Sequence, residues 1–180
     1  VNQSFERRQL ARLVQQTEQS LSYLTSATFH FRYIEDVDGL AGGLARLCPQ
    51  PERAVLGLHE LMINAVEHGN LGITYAEKSQ WLLVNGLAEE VQRRRRLPEN
   101  QDKRVEVRFE RRPEALEFTV QDQGAGFDWR PYLDFDPERL FDPNGRGIAI
   151  AKQQSFDALE YLGNGNTVRA TVALTQKGFL

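Results

Sequence analysis

In 180 residues the chain has one cysteine, Cys48, and only three histidines. A lone thiol excludes an intramolecular disulfide, and so sparse a Cys and His content leaves no framework for structural zinc; a reducing cytoplasm is the expected location. No stretch approaches the roughly 18 consecutive apolar residues of a membrane span, and the polar N-terminus lacks the apolar core of a signal peptide. Neither sign of charge dominates: 22 Lys and Arg stand against 25 Asp and Glu, a net charge of -3. The global basic field that marks nucleic-acid binders is therefore missing. Internal repeats and low-complexity segments are also lacking.

What is present is an ordinary globular composition, 41% hydrophobic and 26% charged. The length suits one sizeable core, or one core with an appended helix, rather than two full domains. The chain opens Val1-Asn2-Gln3 rather than with Met, which reads as a piece of a longer protein with regulation in further domains. Residues 4 to 24 lack Pro and Gly and place Leu10, Val14, Thr17, Leu21 and Leu24 at heptad spacing. Two repeats fit either a helix packed on its own domain or the end of a dimeric linker. Residues 1–25 are accordingly expected to form an N-terminal helix or linker end, and residues 26–180 one domain with a helical insertion at about 76–104.

Alternation predicts a strand over Ala27 to Tyr33, with Phe29, Phe31 and Tyr33 on one side. A helix is expected over 35 to 47 despite three glycines, and a stronger one over 51 to 68, opened by Pro51 and closed by Gly69. Tyr75 to Arg96 reads as helical with a break at Gly86, ending in four consecutive arginines. Val105 to Glu110 and Ala115 to Asp122 form a hairpin through the Arg-Arg-Pro-Glu turn. Phe127 to Asn144 reads as a long loop, of the kind that is usually functional. Gly147 to Phe156 is a helix, and strands follow at Ala158 to Leu162 and Thr167 to Leu174. Helices and strands are grouped rather than alternating, so the fold class is α+β: a two-layer sandwich with a mixed, mainly antiparallel sheet covered by helices.

Three segments carry candidate chemistry. On the helix over 51 to 68, Glu60, Asn64 and His68 recur every fourth residue and share a stripe, with Glu67 beside them and Val55, Leu58, Leu61, Met62 and Ala65 on the buried side. A solvated face is the plainer reading, but Asn is a poor mid-helix residue and suits a metal ligand. Asp122 ends a strand and precedes Gly124 and Gly126; its carboxylate is able to accept a hydrogen bond from a base amino group. An ordinary Asp-Gly turn is the rival. Gly145-Arg146-Gly147 feeds a helix N-terminus, whose free N–H groups bind phosphate oxygens. Neither the Gly-x-x-x-x-Gly-Lys-Ser/Thr loop nor the dinucleotide fingerprint is present.

In order and spacing these motifs resemble the GHKL ATP-binding superfamily, over about residues 27 to 174. The resemblance implies the GHKL fold, with ATP and Mg²⁺ as cofactors. Asn64 would be the Mg²⁺ ligand and Asp122 the adenine reader. Gly124, Gly126, Gly145, Arg146 and Gly147 would frame the lid and phosphates, and Thr167 would support the adenine contact. Glu60 would be the catalytic base. The Glu60-x-x-x-Asn64-Ala-x-x-His68-Gly pattern is most similar to the serine kinases that act as anti-sigma factors, in the form appended to bacterial response regulators. Gly69-Asn70 and the insertion depart from the compact sporulation-type kinases. The implied activity is Mg-ATP-dependent phosphorylation of a serine on a STAS-type anti-sigma-factor antagonist. The implied partners are that antagonist, a sigma factor, upstream receiver or phosphatase domains and a second copy of the chain, with neither nucleic acid nor membrane. The alternative is a non-catalytic module that binds ATP while sequestering a sigma factor or antagonist; Glu60 favours the enzyme. His68 either leans toward the phosphates or meets the helix dipole. Among Arg130, Arg139 and Arg146, the last is preferred as the γ-phosphate cation.

Overall fold

The computed structural model describes residues 7–9, 12, 16, 19–130 and 147–174. Of the N-terminal segment, residues 7–9, 12, 16 and 19–21 are helical; Leu10, Val14 and Thr17 of the heptad seam lie outside the described residues. Leu24 packs against the core, and its carbonyl accepts from Arg111 Nε at 3.1 Å.

Strand β1 is Ser26–Phe31, and a 3-10 turn leads into helix α1, Val37–Ala45. Helix α2, Pro51–Asn64, continues through a wider π-helical turn, Ala65–Asn70. The insertion forms α3, Tyr75–Leu83, and α4, Leu87–Arg95. After the hairpin β2, Val105–Arg111, and β3, Ala115–Gln121, come α5, Gly147–Ile150, with its own π turn, Ala151–Ser155, and the strands β4, Ala158–Leu162, and β5, Thr167–Ala173. Among the described residues no helix is long and apolar enough to cross a membrane.

The strands form one sheet in the order β1-β2-β3-β5-β4. Its alternation is strict. Phe29, Phe31, Val105, Val107, Phe109, Leu116, Phe118, Val120, Val168 and Ala170 point to one face, under the helices. Phe109 and Phe118 are directly opposed, with ring centroids 5.4 Å apart, a geometry that contributes ~0.5–1.5 kcal/mol beyond the area it buries. The opposite face is polar, crossed by pairs such as Arg108 with Glu106 at 3.1 Å and Arg112 with Glu117 at 3.2 Å. Helix α1 packs on α2, and α2 on the α5 segment.

The expectation of a mixed sheet needs correction, because every pairing is antiparallel. The tight turn between β4 and β5 makes those two strands neighbours. β5 then takes the place beside β3, so the like-directed β3 and β4 never pair. Tyr33 also lies beyond the end of β1; its ring sits under the Arg95 guanidinium, 4.0 Å from it. Nor does Gly69 close the helix over 51 to 68, since the π turn runs through it to Asn70 and the left-handed residue is Gly72, at φ 61°.

Helix α3 buries no residue fully and α4 adds only Val91 to the core, with Leu87 packed against it, so charge does much of the holding. Thr74 and Glu77 form a reciprocal cap at the start of α3. Arg94 Nη1 donates to the carbonyls of Gly72 at 2.6 Å and Leu71 at 3.2 Å, while its other nitrogens reach Glu90 at 2.7 Å and Glu77 at 2.5 Å. Glu90 is only 5% exposed; the Arg93 hydrogen bonds, with Arg94, hold its carboxyl down at about 2 against the cost of burial. The four-arginine run is thus largely internal bracing, with Arg95 bonded to Glu35.

Candidate nucleotide site

The C-terminal end of α2 meets the end of β3. Close approach of backbone to side chain shapes this junction. At Gly69 a Cβ would stand 2.5 Å from Asp122 Oδ2 and 2.6 Å from Oδ1, distances no side chain tolerates, so the residue is glycine because the carboxylate lies over it. At Gly124 a Cβ would strike the Gly69 carbonyl, and the Gly124 N–H donates to Asp122 Oδ1 at 2.7 Å. No described residue bonds Oδ2. Burial pushes the Asp122 carboxyl up to about 6, opposed by the Gly124 N–H and by the charge of Lys103. A desolvated acceptor with one oxygen unengaged fits the edge of a base carrying an amino group.

Glu60, Asn64 and His68 are all half-buried rather than a solvated face. A Cβ on Gly147 would collide with Glu60 Oε2 and stand 2.9 Å from its Cδ. The start of α5 therefore rests on the Glu60 carboxylate, and α2 and α5 meet at the residue expected to act as base. No described side chain engages the Glu60 carboxylate or the Asn64 amide. Among the described residues no group of three His, Cys, Asp or Glu stands ready to hold a metal. A single amide oxygen from Asn64 nevertheless fits Mg²⁺, which takes few protein ligands when phosphates and water complete its shell.

His68 donates from Nδ1 to the Ile73 carbonyl at 2.5 Å. Burial holds its pKa below the ordinary 6.5, the Lys78 charge adding to this while the Ile73 bond and Glu67 oppose it. At neutral pH the ring has no charge to offer either phosphates or the helix dipole; it braces the turn after the helix and leaves Nε2 as an acceptor. The adjacent Glu67 is 4% exposed and forms an ion pair with Lys78 of α3 at 2.5 Å, a charge contact without hydrogen-bond alignment at that oxygen.

Thr167 lies opposite Gln121, on the sheet face away from the helices, and its hydroxyl donates to Asn166 Oδ1 at 3.3 Å. The residue across from Asp122 is Asn166. Its carbonyl accepts from the Asp122 N–H at 3.0 Å, and its side-chain amide donates to the Asp122 carbonyl at 3.2 Å. The apolar alternation of Val168 and Ala170 already fixes this parity, since Thr167 must face away from them. Gly126, at φ 78°, begins a clasp with the β4–β5 turn: the Phe127 N–H donates to the Asn164 carbonyl at 3.0 Å, and the Asn164 amide to the Ala125 carbonyl at 2.9 Å. Phe127 and Trp129 close on the Tyr161 ring at 5.5 and 5.6 Å. Burial, with the nearby Asp122 charge, raises the Tyr161 pKa. This aromatic wall joins residues of two distant segments and left no periodic signal in the sequence. Gly145, Arg146 and Arg139 lie outside the described residues, while Arg130 is exposed and paired with Asp128 at 3.2 Å.

The α+β sandwich, with helices over one face of a five-stranded antiparallel sheet and glycine-flanked Asp122 at the junction, is consistent with a GHKL-like ATPase fold. Residues 91–172 match the family model of the histidine kinase-like ATPase domain, which implies ATP as the ligand. That span runs from α4 into β5 and includes Asp122, Gly124, Gly126, the Gly145 to Gly147 segment and Thr167, but not Glu60, Asn64 or His68. No curated protein matches the chain.

Proposed function

We propose that this chain is an Mg-ATP-dependent protein serine kinase that phosphorylates a STAS-type anti-sigma-factor antagonist and acts as an anti-sigma factor in partner switching. The observation that carries the kinase reading is the seat of Glu60. Its carboxylate lies against Gly147, where the phosphate-side helix begins, and one helical turn from Asn64. A module that only bound nucleotide would need no carboxylate there.

Bound Mg-ATP supplies the transferable phosphoryl group and the charge neutralisation that phosphoryl transfer requires. Asn64 would hold the metal through its amide oxygen. Asp122 would accept from the adenine amino group, with Gly124 orienting its carboxylate. Glu60 would take the proton from the serine hydroxyl as the oxygen attacks the γ-phosphorus and ADP leaves. The partner's identity rests on the sequence resemblance alone.

Calorimetric titration with ATP, with and without Mg²⁺, tests the site, and transfer of ³²P to a STAS-domain protein tests the activity. Glu60→Gln is expected to keep nucleotide affinity and lose transfer by about 10²- to 10⁴-fold, whereas Asn64→Ala loses the Mg-dependent part of the affinity. Near-normal transfer by Glu60→Gln removes the base, and an unchanged Mg²⁺ response in Asn64→Ala removes the metal ligand. Binding without any transfer returns the chain to a sequestering module.

A further inference from the structure

A continuous set of hydrogen bonds joins the helical insertion to the base-reading carboxylate, and one cation stands at its centre. The half-buried Lys103 donates from Nζ to the Asn70 carbonyl and to Asn100 Oδ1, both at 2.9 Å. Asn70 and Asn100 are themselves 3% and 7% exposed. On the insertion side, the Asn100 amide donates to the Arg94 carbonyl at 3.0 Å, and the Arg94 guanidinium grips Leu71 and Gly72. On the site side, Asn70 Oδ1 accepts the Gln123 N–H at 2.8 Å, and Gln123 Oε1 accepts the Arg104 N–H at 2.7 Å. Gln123 lies between Asp122 and Gly124, whose own contacts with Gly69 set the position of the carboxylate.

We propose that Lys103 is a positioning residue of the base pocket, fixing the backbone of Asn70 and, through the Asn70 side chain, the loop that presents Asp122. Lys103 does not touch the base. It acts by holding two buried polar residues in register, and among the described residues its ammonium is also a cation whose charge acts on Asp122. The insertion thereby becomes part of the apparatus that distinguishes one base from another. A buried carbonyl and a buried amide oxygen that lose a shared charged donor are left unpaired, and the loop they hold shifts to recover partners.

This inference rests on the nucleotide reading above. The test is titration of MgADP and MgGDP into wild type, Lys103→Met and Lys103→Arg, with circular dichroism confirming the fold. Wild type should prefer MgADP. Lys103→Met should lose about tenfold in MgADP affinity, the equivalent of one charged hydrogen bond, with MgGDP affinity unchanged, so that base preference collapses. Lys103→Arg, which retains a cation able to reach both acceptors, should recover most of the preference. A folded Lys103→Met with wild-type preference, or equal weakening of both nucleotides without rescue by Arg, overturns the positioning role and leaves the nucleotide site standing. Absence of MgADP binding by wild type overturns the site and the role together. Should Lys103→Met fail to fold, Asn100→Ala removes only one acceptor; reduced preference then supports the role and unchanged preference refutes it.

Discussion

Asp122→Asn should move stability and function in opposite directions. In the folded chain burial raises the Asp122 carboxyl from its ordinary 3.8 to about 6. A group whose pKa is raised on folding contributes stability that is fully present below pH 3.8 and is lost as pH rises through about 6; above that, the ionised carboxylate costs the folded state free energy. At about 1.4 kcal/mol for each pH unit the gap bounds the cost at about 3 kcal/mol, and the pocket's access to water screens this to ~1–2 kcal/mol. Asparagine keeps an oxygen for the Gly124 N–H and removes the charge. Chemical denaturation at pH 7.5 should therefore show Asp122→Asn more stable than wild type by ~1–2 kcal/mol, equivalent to a rise of ~2–8 °C in melting temperature for a chain of this length. Between pH 7 and pH 4.5 most of the advantage should disappear, and the remainder below pH 3.8, because folded Asp122 takes up its proton before the unfolded chain does. Titration with ATP should meanwhile show affinity lost in the variant. A variant less stable than wild type at pH 7.5, or an advantage that does not change with pH, would refute a desolvated carboxylate at this position.

Arg94→Met strips the buried Glu90 and the half-exposed Glu77 of their shared partner and frees two backbone carbonyls. With Arg93 still on Glu90, the expected loss is near the low end of the range for broken buried pairs, about 3 kcal/mol by urea denaturation; a loss below about 1 kcal/mol would show the network to be slack. Gly69→Ala drives a methyl into the Asp122 carboxylate, so a stability loss of ~1–3 kcal/mol should accompany weakened ATP binding in the same preparation. Normal melting with normal affinity would mean that the carboxylate steps aside without consequence.

The elements of this fold were readable from the chain because periodicity reports burial on one face. Pro51 opens α2 and the Arg-Arg-Pro-Glu turn joins β2 to β3, both local effects of residues that permit little else. Gly69 shows where local reasoning stops. A glycine after a helical stretch reads as a cap, whereas here it admits a carboxylate from a strand more than fifty residues later. Thr167 was assigned a role by resemblance, but strand parity places Asn166 opposite Asp122. Lys103 lies in an unremarkable Asp-Lys-Arg stretch, and its role arises only when Asn70 and Asn100, thirty residues apart in sequence, are brought to either side of its ammonium. Sites made of long-range contacts leave little periodic trace, so chemistry was legible only where several residues kept a motif's spacing.

Cys48 lies in the core at 6% exposure, with burial pushing its thiol up to about 12. At neutral pH it is therefore protonated and shielded, and unreactive toward maleimides and similar reagents. The native sequence already serves as a cysteine-silent background. A cysteine introduced at Leu83, 79% exposed at the tip of α3, would take up a fluorophore alone, and once the neighbouring Trp81 is replaced by Phe, energy transfer from Trp129 would follow the distance between the insertion and the aromatic wall as nucleotide arrives.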